Sequence, residues 1–88
     1  MNGDSEGLLN YFERVTEKDL SNHELVADVA RRFLQQGKTE RALRLLERVA
    51  LRPDTPGEIH ALHGVALTSV GRTSDALKAY MRAAERPP

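Results

Sequence analysis

Gly37 and Gly71 stand thirty-four residues apart, and what surrounds them repeats at the same interval. Ala42/Ala76, Leu43/Leu77, Leu46/Tyr80 and Pro53/Pro87 are matched pairs. The segments themselves read Gly37-Lys38-Thr39-Glu40-Arg41-Ala42-Leu43 and Gly71-Arg72-Thr73-Ser74-Asp75-Ala76-Leu77. One more step back reaches Gly3, Leu8, Leu9 and Phe12, a weaker third copy in the same order. Such a period marks a stacked array whose units bury their apolar faces only against one another.

Within each copy, apolar residues recur every three to four positions. The first runs are Leu25, Val26, Val29, Ala30, Phe33, Leu34 and then Ile59, Leu62, Ala66, Leu67, Val70. After each glycine come Ala42, Leu43, Leu45, Leu46, Val49, Ala50 and then Ala76, Leu77, Tyr80, Ala83, Ala84. That spacing lines one side of a helix and argues against strands. Ser21 to Glu24 and Thr55 to Glu58 each read as a capping box, with the hydroxyl at the N-cap, glutamate at N3, and Pro56 at N1 of the second. Pro53 and Pro56 break the chain between the two copies. A leading helix carries Leu8, Leu9, Phe12 and Val15 on one side. The expectation is an all-α fold of five helices, about 6–17, 21–36, 39–51, 56–70 and 73–86, with short loops that force antiparallel neighbours. Ala30, Gly64, Ala42 and Ala76 let paired helices approach closely, while Phe33 and Tyr80 fill the wider parts of the seam.

These residues resemble the tetratricopeptide repeat family. Gly64, Leu67, Gly71, Ala76, Tyr80, Ala83 and Pro88 fall at the family's places in the second unit, and Ala30, Phe33, Gly37, Ala42, Leu46 and Val49 in the first. Departures are visible as well. Pro53 comes one position early, leaving Asp54 where proline is expected. Val26 and His60 hold the usual tryptophan position, and Val29 and His63 the following leucine position. The resemblance implies a right-handed array of antiparallel helix pairs. It would divide a single domain over 1–88 into a half repeat at about 3–20 and repeats at about 23–56 and 57–88.

The resemblance also implies a concave groove that holds a partner's peptide or helix. Glu24, Ala27, Arg31, Leu34 and Gln35 would floor it from one unit, and Glu58, Ala61, Val65, Thr68 and Ser69 from the next. The carboxylate clamp of the chaperone-tail-binding members needs asparagines and lysines; here Asp28, Arg31, Leu62 and Val65 stand instead.

Candidate chemistry is sparse. No cysteine is present, so disulfides, thiolate zinc and a cysteine nucleophile are excluded. His60 and His63, at i and i+3, lack a third metal ligand at a recognisable spacing and read as structural. The pairs Glu13/Glu17 and Glu24/Asp28 read as surface acidity, and Ser5, Ser21, Ser69 and Ser74 have no triad context. No catalytic residue, metal or cofactor is therefore expected. No apolar run approaches the ~18 residues of a membrane span, and the acidic start does not resemble a secretory signal, so a cytoplasmic protein is expected.

Charge is unevenly spread: residues 1–30 sum to −5 and residues 31–88 to +5. The sharpest feature is Arg41, Arg44, Arg48 and Arg52, spaced by three or four along one helix. It reads as a solvated stripe, or as a contact for an acidic partner or for the acidic front of a second copy. Aromatic residues are only 5%, leaving little stacking surface for nucleic acid. Leu77, Met81 and Ala84 would leave an apolar side open near the end of the array, inviting self-association through terminal helices. The reading is a protein-interaction module: a scaffold, adaptor or chaperone-like element. The alternative is a non-catalytic docking or regulatory region of a larger enzyme or signalling protein, such as a methyltransferase or kinase.

Overall fold

The computed structural model describes the backbone of residues 2–86 and, within that span, side chains other than those of residues 2–6, 8 and 17. Expectations that rested on the side chains of Gly3, Ser5, Leu8 and Glu17, or on Pro87 and Pro88, lie outside the described residues. Five α-helices follow one another: α1 (Asn2–Lys18), α2 (His23–Gln35), α3 (Thr39–Ala50), α4 (Gly57–Ser69) and α5 (Thr73–Glu85). Among the described residues there is no strand. Each helix packs on its successor, and α2 also reaches α4, giving a slab of 39 × 27 × 17 Å with a tetratricopeptide-like arrangement.

The two glycine turns are built alike. Gly37 has φ 75° and Gly71 φ 80°, the left-handed region that a side chain enters at a cost of about 1–2 kcal/mol. Each closes a Schellman motif. The N–H of Lys38 donates to the Phe33 carbonyl at 2.8 Å and that of Gly37 to Leu34 at 3.1 Å; Arg72 donates to Leu67 at 2.9 Å and Gly71 to Thr68 at 3.0 Å. Lys38 and Arg72 are also the N-caps of α3 and α5, so one helix ends where the next begins.

Helix starts differ from the capping boxes read in the sequence. The N-cap of α2 is Asn22, not Ser21: its side-chain oxygen accepts from the Leu25 N–H at 3.2 Å. Ser21 instead donates its N–H and hydroxyl to Asp19, holding that carboxyl below the usual range. At α4 the N-cap is Pro56, with Gly57 the first helical residue. Thr55 faces backwards, buried, its hydroxyl placed to bond the α3-end carbonyls of Val49 at 2.6 Å and Arg52 at 2.9 Å. The competition is local: a hydroxyl beside a just-ended helix finds unpaired carbonyls closer than the next helix's N–H groups. The leading helix also starts earlier than expected, at Asn2 rather than about residue 6.

The core runs continuously through Leu9, Val26, Val29, Phe33, Leu45, Leu46, Val49, Ile59, Ala66, Leu67, Ala76 and Ala79. The small-residue seam is present: a Cβ on Gly64 would come within 2.7 Å of the Tyr80 ring. The α4 glycine thus makes room for the α5 aromatic, while Phe33 is wholly buried.

Candidate functional site

The α2 and α4 helices meet over an open cleft of about 540 Å³ lined by Asn22, Glu24, Leu25, Ala27, Asp28, Arg31 and Glu58. Helical phase produces it. Positions 24, 28 and 31 rise along one side of α2, while Ala27 beneath them is buried and offers only a methyl group to the floor. Arg31 bonds Glu58 across the cleft, joining the two helices by an exposed ion pair. Asp28 is bridged by Arg32 one turn on, at 3.1 Å. With one cation among three acids, the lining is acidic.

Of the ten groove residues expected, the cleft gathers Glu24, Ala27, Arg31 and Glu58. Leu34 is half-buried against the core, and Gln35 is exposed at the end of α2. Ala61 is half-buried, and Val65, Thr68 and Ser69 lie exposed farther along α4; none of these lines the cleft. Thr68 and Ser69 are placed to turn their hydroxyls onto the Gly64 and Val65 carbonyls, at 2.9 and 3.0 Å. Asn22, Leu25 and Asp28 belong to the cleft without having been singled out as groove residues. Asp28 was legible, since it follows Glu24 by one turn.

The arginine stripe divides. Arg41 turns inward to bond Asn10 and Glu13 of α1, and its guanidinium lies 4.6 Å from the centre of the Phe33 ring. Arg44 and Arg48 remain exposed and, with Glu13, Arg41 and Leu45, edge a smaller cleft of about 310 Å³. Arg52 lies 3.9 Å from Asp54 in the α3–α4 loop.

The histidines occupy valine places. His60 and His63 sit thirty-four residues after Val26 and Val29, and His60 is as fully buried as Val26. Neither ring has a hydrogen-bond partner among the described residues, although their nitrogens are shielded from solvent. Burial lowers the affinity of His60 for its proton, reinforced by Arg86 and Arg82. Burial also depresses His63, opposed by Glu47 and assisted by Arg72 and Arg82. Among the described residues no three His, Asp or Glu side chains converge to hold a metal, and no helix is long and apolar enough to cross a membrane.

An all-α tetratricopeptide-like stack with an open polar cleft defines a helical interaction or regulatory module. The chain belongs to the bacterial transcriptional activator domain family, whose model matches residues 2–86. Domains of this type are generally non-catalytic. No curated protein and no solved structure gives a match to the chain.

Proposed function

We propose that this domain is the interaction module of a bacterial transcriptional regulator and holds a partner's extended, basic segment in the α2–α4 cleft. The acidic cleft carries this reading: Glu24, Asp28 and Glu58 line it, Asp28 and Glu58 in exposed pairs with Arg32 and Arg31 that an incoming cation can exchange, and Glu24 in no ion pair among the described residues. Leu25 and Ala27 supply apolar contact beneath, so a lysine- or arginine-bearing peptide finds both a floor and counter-charges. The family description supports a regulatory setting, a form of the docking-region alternative in which a regulator takes the place of an enzyme.

The test is fluorescence anisotropy with labelled lysine-rich and glutamate-rich unstructured peptides, using wild type and the double variant Glu24→Lys with Asp28→Lys. Both carboxylates are exposed or half-exposed, so the fold tolerates the change. Preference for the basic peptide should be at least about tenfold and should disappear in the variant. Equal binding of both peptides by wild type would remove the cleft from consideration.

A further inference from the structure

We propose that the outward face of α5 seats an amphipathic helix of another protein, apolar on one side and acidic along the adjoining edge. Leu77 is 62% exposed, Met81 57% and Tyr80 40%, and Ala84 is exposed beside them. At 3.6 residues per turn these four form one stripe. What such a stripe is suited to is shown within the same molecule. Thirty-four residues earlier, Leu43 and Leu46 occupy the places of Leu77 and Tyr80 and are 5% and 0% exposed, on the helix that packs against α4. The α5 stripe therefore has the shape of a helix seat, with no helix on it among the described residues.

The edge of the stripe selects the occupant. Lys78 and Arg82 lie one turn apart on the flank next to Leu77 and Met81, and both open into a cleft of about 280 Å³ shared with His63, Arg72 and Asp75. Arg72 is engaged by Asp75 at 3.0 Å and Glu47 at 3.6 Å. That leaves Lys78 and Arg82 as the cations presented to an incoming carboxylate, with the unpartnered His63 ring behind them. Glutamate or aspartate on the partner's edge would enter this cleft while its apolar side covers Leu77, Met81 and Ala84.

A second copy is a poorer fit. The apolar Leu9 and Phe12 of α1 are already packed into the core, so the described residues of that helix leave no free apolar side for the seat of another copy. Antiparallel pairing of two α5 helices about a two-fold axis sets like flank against like flank, bringing the Lys78 and Arg82 edges of both copies together. The acidic α2–α4 cleft belongs to a different face and plays no part here.

The test uses two labelled synthetic helices with leucines at every third or fourth position. One carries glutamates along the adjoining edge and the other lysines. Wild type should bind the glutamate helix at least about tenfold more tightly than the lysine helix. Lys78→Glu with Arg82→Glu should reverse that order. Leu77→Ser with Met81→Ser should weaken both at least about tenfold. Amide shift mapping on wild type guards against a folding artefact: shifts confined to residues 63–85 support the proposal, and shifts at residues 22–31 overturn it. Equal affinity for the two helices overturns it as well. So does light scattering in which the serine variant abolishes a dimer, since a second copy would then be the occupant.

Discussion

Helices α3 and α5 carry one pattern thirty-four residues apart and end in different surroundings. Both follow a left-handed glycine, both open with threonine, and both place alanine and leucine in the first turn. Yet α3 is packed on two sides and buries Leu43, Leu45, Leu46 and Val49, whereas α5 buries only Ala76 and Ala79. The residue types on α5 record the difference. Its fully buried positions are alanines, Tyr80 lies half over Gly64, and Leu77 and Met81 face outward. A stacked array derives stability from neighbours, so equal patterns contribute unequal energies according to how many sides are covered.

Truncating equivalent side chains is the strongest way to break this comparison. Leu46→Ala should cost about 3 kcal/mol by cavity formation, against less than about 0.5 kcal/mol for Leu77→Ala at an exposed site. Urea denaturation monitored by circular dichroism reads both, and equal losses would show α5 to be covered. The glycine turns should behave as twins: Gly37→Ala and Gly71→Ala each cost about 1–2 kcal/mol, because nothing crowds either Cβ and only backbone strain remains. A marked inequality in the same assay would mean that one turn relaxes.

Smaller effects sharpen the picture. Thr55→Val should cost about 1 kcal/mol by releasing the α3-end carbonyls, whereas Ser21→Ala, thirty-four residues earlier and exposed, should change stability by less than about half of that. The histidines come last at neutral pH. Their folded proton affinities are depressed below the ordinary value of 6.5, so the unfolded chain binds protons first as pH falls. Stability is full above about 6.5 and is lost as pH drops from there toward the depressed folded values. Melting temperature followed from pH 7.5 to 5.5 should fall, and more shallowly in His60→Val, which restores the residue of the first hairpin. A flat profile in wild type would contradict the burial of His60.

Much of the fold was legible because it is periodic. Five helices, their order and the glycine turns follow from spacing alone. The errors lie where a side chain has more than one partner within reach, or a neighbour can take its place. Ser21 and Asn22 can each cap a helix, and only the path of the turn decides between them. Arginines spaced by three or four look alike in sequence, yet among the described contacts it is Arg41 that bonds Glu13 and lies over Phe33. The cleft was partly legible for a similar reason. Phase puts Glu24 and Arg31 on one side of α2, but which α4 residues face them depends on how the helices cross, and only Glu58 at the top of α4 does so.

The joint between the hairpins is closed by a residue from the opposite end of the second one. Each hairpin closes with no slack, because Lys38 and Arg72 end one helix and start the next. The longest connection between helices is residues 51–56, between α3 and α4. Arg86, at the far end of α5, braces that stretch by donating to the Pro53 carbonyl at 2.7 Å and the Thr55 carbonyl at 2.9 Å. The end of α5 is thereby fastened to the connection that leads into α4, so the second hairpin holds the entry to its own first helix.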